Sequence, residues 1–247
     1  MKKNFVIRIL IKVVNLLRHP IKKYRFNSGF KNKFIVQYEK TPNSLSELCD
    51  KYGSDKGSRN LGVKPFPWKP HSYTDYYEHL FASKKELVTK VFECGIGTNN
   101  INLISNMSAG GKPGASLRVW RDYFTNATIY GADIDRDILF QESRIITKYM
   151  NQLDPVSINN FWCTLALKDF DLMIDDGLHT FEAGVTLFEN SIQNLDQNGT
   201  YIIEDVNLKS LPRFRQYFKQ SRFHVEYITF FSPNSKVGNP LLLSIRK

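Results

Sequence analysis

From residue 86 onward two rhythms of apolar positions alternate along the chain. Short apolar runs that stop at Gly or Asp, "LVTKVFECGIG", "ATIYGADID", "RIITKYM", "FDLMIDDG" and "GTYIIEDV", have the length and the β-branched and aromatic content of buried strands. Between them the spacing turns helical. "ASLRVWRDYF" puts Leu117, Trp120 and Phe124 on one side, and "SINNFWCTLA" and "LPRFRQYFKQ" read as further helices. "TFEAGVTLFENSIQNLD" repeats Phe181, Val185, Phe188, Ile192 and Leu195 at alternating intervals of four and three, which predicts one long helix. "FHVEYITFF" and "PLLLSIRK", joined by "SPNSKVGN", predict a closing hairpin. The sum is an α/β fold with seven strands, mostly parallel, with helices on both faces and an antiparallel C-terminal pair. Such sheets bind ligands beyond the carboxyl ends of their strands.

Upstream the pattern is less regular. "SLSELCDKYGSDKGSRN" predicts a short helix with a Ser N-cap and then a turn, and "SYTDYYEHLF" a second helix. "LGVKPFPWKPH" holds three prolines and excludes regular structure, while residues 26–43 read as a polar connector. At the N-terminus, Arg8, Lys12, Asn15, Arg18 and Lys22 share one helical face, and Val6, Ile9, Leu10, Val13, Val14 and Leu17 fill the rest. Pro20 should end that helix. It is too short and too charged to span a bilayer, which needs about 20 apolar residues, and it lacks a signal-peptide cleavage site. It fits either an anionic membrane surface or a protein face, its own domain or a second subunit in a homo-oligomer. The expected organisation is a basic segment at 1–34, a helical and loop cap at 35–85, and the sheet domain at 86–247.

Charge sharpens this division. The formal net charge is +10, yet residues 1–34 hold ten Lys or Arg and no acid, leaving 24 basic and 24 acidic residues in the rest. A sheet domain without net charge argues against a nucleic-acid partner, which requires basic residues along a phosphate track. Three widely separated cysteines show no metal-ligand spacing and fit a reduced, cytoplasmic chain, peripheral to the membrane if residues 1–34 bind it.

Candidate chemistry collects at the strand ends. In "VFECGIGTNN", Gly95 and Gly97 admit a ligand close to the backbone, and Glu93 suits a cationic ligand better than a diphosphate. No GK[ST] follows, which excludes a P-loop. Asp133, ending "YGAD", can accept from both hydroxyls of a ribose, whereas Asp135 can instead cap the next helix. "KYGSDKGS", "PGASLRVWRDYF", "GADID", "IDDGLHTFEA" and "YIIEDV" together resemble the class I S-adenosylmethionine-dependent methyltransferases. More narrowly they resemble the macrocin and mycinamicin sugar O-methyltransferases and related enzymes of bacterial surface-polysaccharide clusters. The resemblance covers roughly residues 45–207. It implies a Rossmann-like fold and a cofactor site drawn from Glu93, Gly95, Gly97, Asn99, Ser116, Asp133, Asp135, Asn151, Gln152 and Asp175. The family often has an acid before the glutamine, and Asn151 stands there instead. The insert "INLISNMSAGGKPG" is expected to form a lid or to shape the substrate pocket.

The resemblance also implies the remaining roles. Asp176 ends the fourth strand and Glu204–Asp205 the fifth, so the three acids can meet around Mg²⁺ or another hard cation, with Asp176 also counted in the catalytic set beside His179, the general base. The blander alternatives are that Asp175 caps the next helix and His179 is structural. Tyr52, Asp55, Lys56, His71 and Tyr73 are candidate contacts to the cofactor's amino-acid part or to the acceptor, or plain turn residues. The expected activity is Mg²⁺-assisted methylation of a sugar hydroxyl, free, nucleotide-linked or in a glycan. Alternatives are nitrogen or nucleic-acid methylation, and a non-catalytic adaptor at the membrane surface.

Overall fold

The computed structural model describes residues 35–38, 43–57, 65–231 and 241–247. The expected N-terminal helix and the "SPNSKVGN" link lie outside them. Among the described residues nine strands form one sheet: β1 (Ile35–Tyr38), β2 (Lys90–Cys94), β3 (Thr128–Asp133), β4 (Gln141–Glu142), β5 (Ile145–Tyr149), β6 (Phe170–Asp175), β7 (Leu195–Ile203), β8 (His224–Phe231) and β9 (Leu241–Arg246). Their order is β1-β8-β9-β7-β6-β2-β3-β5-β4. Only β4 and β9 run antiparallel to their neighbours. The two strands beyond the expected seven are β1 and β4. β1 falls inside the stretch read as a connector. Four residues are too few to show a pattern, and parallel pairing with β8 makes the strand.

Among the described residues six α-helices flank the sheet: α1 (Ser44–Tyr52), α2 (Thr74–Phe81), α3 (Ala115–Tyr123), α4 (Pro155–Leu165), α5 (Phe181–Ser191) and α6 (Leu211–Phe218). α1 is capped by Asn43, not by a serine: Asn43 Oδ1 accepts from Ser46 N at 2.8 Å while Ser46 Oγ accepts from Asn43 N at 3.0 Å. α5 stops before its apolar repeat does. A 3₁₀ turn over Ile192–Asn194 follows, and Leu195 already pairs with Phe170 as the first residue of β7. An apolar residue satisfies a helix face and a strand equally, so periodicity alone overran the boundary.

Alternation along the strands supplies a core on each face. Val91, Leu172 and Ile174 pack with Leu45, Tyr77 and Trp120 from α1, α2 and α3 and with Phe124 just after α3. Phe92 and Met173 pack on the other face with Phe161, Trp162, Phe188 and Phe214 from α4, α5 and α6. Burying each of these large side chains contributes about 1.5–3 kcal/mol. Among the described residues no helix is long and apolar enough to cross a membrane. The chain leaves β2 towards β3 on one side, and β6 lies on the other, so the switch in strand order opens a crevice at the ends of β2 and β6.

Candidate active site

The crevice is a cavity of about 370 Å³. Its floor is the turn after β2. Gly95 and Gly97 have φ of 87° and 83°, and a Cβ on Gly95 would stand 2.2 Å from the Asp176 carbonyl oxygen. The β2 and β6 exits therefore touch backbone to backbone, which only glycine permits. Asp133 ends β3 and lines the cavity. Its Oδ2 accepts from Ile96 N and its Oδ1 from Asp135 N, each at 2.9 Å, so the carboxylate ties β3 to the glycine turn. Burial raises its pKa, with those backbone N–H groups opposing. Each oxygen keeps a lone pair for a hydroxyl in the cavity.

Gln152 forms the next wall. Its Nε2 donates to Asp175 Oδ1 at 2.6 Å and its Oε1 accepts from Leu178 N at 2.9 Å. Asp175 is thus a strut for Gln152, and burial pushes its pKa up to about 6. The cap of α5 is Thr180, whose Oγ1 accepts from Ala183 N at 3.2 Å. Ile134, Met150 and Leu153 add apolar walls, and the insert brings Ile104, Ser105, Asn106 and Met107 to the rim.

The opposite rim is acidic. Ligand atoms of Asp176, His179 and Asp205 all lie within 4.8 Å of one another. His179 Nε2 is 3.3 Å from Asp176 Oδ1 and 4.0 Å from Asp205 Oδ2. Burial alone would lower the imidazole pKa, but the hydrogen bond and charge of Asp176, and then Asp205, push it up to about 9. His179 and Asp205 have φ of 57° and 49°, left-handed conformations that cost non-glycine residues about 1–2 kcal/mol. Such strain persists where surroundings enforce it, as at ligand sites. Asp205 is gripped from the N-terminal stretch: Tyr73 donates its hydroxyl to Oδ1, and His71 Nδ1 sits 3.3 Å away. The Tyr73 phenol stays protonated, because burial and then the neighbouring acids raise its pKa.

Glu204 is placed differently from its expected partners. Its Oε2 lies 2.5 Å from Lys56 Nζ and its Oε1 accepts from Tyr77 OH at 2.5 Å, so both oxygens are engaged below the rim. Lys56 Nζ is also 2.5 Å from Asp176 Oδ2 and 3.2 Å from Glu93 Oε1. Burial opposes its charge, yet these acids hold the ammonium pKa well above the ordinary lysine value. Burial raises Glu204, and the positive Lys56 with the hydrogen bond of His179 keeps Asp176 low despite its own burial.

Several expected contacts sit behind the wall, where tertiary partners claimed them. Glu93 is fully buried on Trp120 Nε1 at 2.8 Å, and Ser116 lies beside it at the start of α3. Asp135 caps the following 3₁₀ turn through Asp137 N and takes Thr98 Oγ1 at 2.5 Å. Asn99 is exposed and outside the lining, whereas Asn151 is in it. Asp55 and His71 line the cavity; Lys56 and Tyr73 reach it only through acids. Tyr52 OH instead donates to Asp122 at 2.5 Å, tying α1 to α3. Tyr52→Phe should leave activity unchanged and lower stability by about 1 kcal/mol, read by thermal unfolding beside an activity assay. Sequence reasoning missed Trp68, which lines the cavity and donates Nε1 to Asp55 Oδ2 at 2.7 Å. Its proline-rich surroundings marked only irregular structure.

No protein-family model matches the chain. Among curated proteins it is similar to the 8-demethyl-8-alpha-L-rhamnosyl tetracenomycin-C 2'-O-methyltransferase of Streptomyces olivaceus, 32% identical over 171 residues, 69% of this chain and 40% of that one. It is 31% identical over 144 residues to the demethylmacrocin O-methyltransferase of Streptomyces fradiae, 58% of this chain and 34% of the other. Among solved structures, the MycE methyltransferase of the mycinamycin pathway, in complex with Mg, SAH and mycinamycin VI, aligns at 27% identity with a TM-score of 0.54. That alignment covers 70% of this chain and 40% of MycE. The chain thus spans less than half the length of these relatives. By sequence the chain is a homologue of the macrocin- and mycinamicin-type sugar O-methyltransferases, and with MycE it shares the methyltransferase fold.

Proposed function

We propose that the chain transfers a methyl group from S-adenosylmethionine to a sugar hydroxyl, assisted by Mg²⁺. The observation that carries this is the meeting of Asp176, His179 and Asp205 on one rim of the cavity whose floor holds Gly95, Gly97 and Asp133. The residues fit both groups. Asp133 offers free lone pairs for a ribose diol, the glycine turn has no Cβ to obstruct a ligand, and Asp55, Asp176 and Asp205 make the lining favourable for a sulfonium. Two rim carboxylates with no sulfur ligand suit a hard cation that keeps positions open for substrate. Asp176 and Asp205 would hold the ion, with Glu204 beside them in the acidic set. The relatives named above methylate sugar hydroxyls, and MycE was solved with Mg and SAH.

The chain's own part in the step is placement and one proton. With donor and acceptor bound, the acceptor oxygen would form the bond to the methyl carbon as the carbon–sulfur bond breaks, the sulfonium would leave as a thioether, and the His179 imidazole would take the hydroxyl proton. Bound Mg²⁺ would lower the pKa of that hydroxyl and offset the charge that keeps His179 protonated. Tyr73 and His71 fix Asp205, and Gln152 with the glycine turn fixes the donor side. The acceptor is a sugar, free, nucleotide-linked or within a surface glycan, and the basic run of Arg8, Lys12, Arg18 and Lys22 supports contact of residues 1–34 with an anionic membrane surface or with a protein face.

The test uses purified chain, methyl-labelled cofactor and a panel of sugar nucleotides and deoxysugar glycosides. Label should enter an acceptor, and a chelator should cut the rate by about 10²-fold or more, restored by Mg²⁺. Full transfer in excess chelator removes the cation from the reading. Cofactor binding without transfer to any sugar removes the sugar.

A further inference from the structure

Lys56 is the feature that methyl transfer leaves unused. It lies in the turn after α1, and its side chain is 2% exposed. Its Nζ is 2.5 Å from Asp176 Oδ2, 2.5 Å from Glu204 Oε2 and 3.2 Å from Glu93 Oε1. These acids sit at the ends of three adjacent strands, β2, β6 and β7. Glu93 and Glu204 are 0% and 1% exposed, below the rim that faces the cavity. The other donors are neutral, Trp120 Nε1 and the Ser116 side chain for Glu93 and Tyr77 OH for Glu204. Carboxylates gathered out of water repel one another and lose hydration unless a cation joins them. Among the described residues Lys56 is the cation that all three share. Its backbone is held too, since Lys56 O accepts from Thr74 N at 3.1 Å at the start of α2.

We propose that Lys56 is the built-in cation that gathers the strand-end carboxylates, so the sheet edge closes without a divalent ion. Asp176 is divided between two tasks by this arrangement. Its Oδ2 belongs to Lys56, and its Oδ1 faces His179 at the rim. The divalent ion then serves the reaction while Lys56 serves the fold, and this holds whether or not sugar methylation is the activity.

Thermal unfolding of the full chain tests it, with wild type, Lys56→Met, Glu204→Gln and the double variant compared in chelator. Wild type should stay folded in chelator, its midpoint below that in Mg²⁺ by no more than ion binding at the rim accounts for. Lys56→Met keeps most of the apolar stem and should lower the midpoint by about 10 °C, the effect of leaving buried charge unpaired. Glu204→Gln should lower the midpoint when Lys56 is present and raise it when Lys56 is Met. That reversal of sign separates charge compensation from packing. Should Lys56→Met be insoluble, recovery of folded protein in the double variant is the same result. A midpoint for Lys56→Met within about 2 °C of wild type overturns the proposal. So does unfolding of wild type by chelator, or a double variant no better than Lys56→Met where Glu204→Gln alone folds.

Discussion

On the function proposed here, Gly95→Ala is expected to abolish cofactor binding and methyl transfer and to destabilise the chain by about 3 kcal/mol. Two costs add. At φ of 87° an alanine is strained by about 1–2 kcal/mol. Its Cβ would also stand 2.2 Å from Asp176 O, 2.5 Å from Asp176 C and 2.7 Å from Gly177 Cα, all backbone atoms of the β6 exit. A side chain could rotate away, but the β6 exit is pinned: Asp176 N donates to Cys94 O at 2.8 Å and Gly177 N to Asp175 Oδ1 at 3.3 Å. Relieving the clash must move Asp176, and with it the acidic rim. Gly97→Ala is the control. It has a similar φ of 83° but meets only Met107 Cγ at 3.0 Å, the flexible part of a side chain, so about half the loss is expected. Calorimetry with S-adenosylhomocysteine and thermal unfolding of both variants decide the matter. A Gly95→Ala protein that binds the ligand as wild type does would mean that the β2 exit is not the cofactor floor.

His179→Ala should lower kcat by about 10²–10⁴-fold, the range for loss of a general base, while cofactor affinity stays within about threefold. The pH dependence has a definite sign. Asp176 and Asp205 push the imidazole up to about 9 against its burial, so at neutral pH it carries the proton that a base must lack. Rate should fall as pH drops through that pKa. A dication between the two carboxylates opposes the imidazolium, so raising Mg²⁺ should move the acid limb of the kcat profile to lower pH. Profiles at two Mg²⁺ concentrations check this in wild type, and the limb should vanish in His179→Ala. An unchanged limb in that variant assigns the proton transfer to another group, with His71, which also flanks Asp205, the first to examine.

Particular residues show where reading the sequence worked and where it could not. β2, β3, β6 and β7 were legible because each is a short apolar run ended by Gly or an acid. Their carboxyl ends put Asp133, Asp176, Glu204 and Asp205 at one edge of the sheet before any coordinates, with Glu204 counted among the acids of the rim. β1 was not legible, since four residues carry too little pattern and the pairing partner lies about 190 residues away in sequence. The caps failed in the same way: Asn43, not Ser44, begins α1, because an N-cap is chosen by local geometry among several suitable residues. The end of α5 was overrun for the reason given above, that Leu195 suits either structure.

Lys56, Glu93 and Glu204 mark the larger limit. In the sequence they are separate, a lysine in a turn and two acids at strand ends, and nothing in their spacing joins them. The sequence by itself determined the α/β alternation, the glycine turn and the chemical types gathered at the strand ends, because period, breakers and polar termini are local properties. Only the tertiary structure decided which acids face the cavity and which pair below it. That choice depends on a lysine reaching across more than a hundred residues into a volume where unpaired charge is not tolerated.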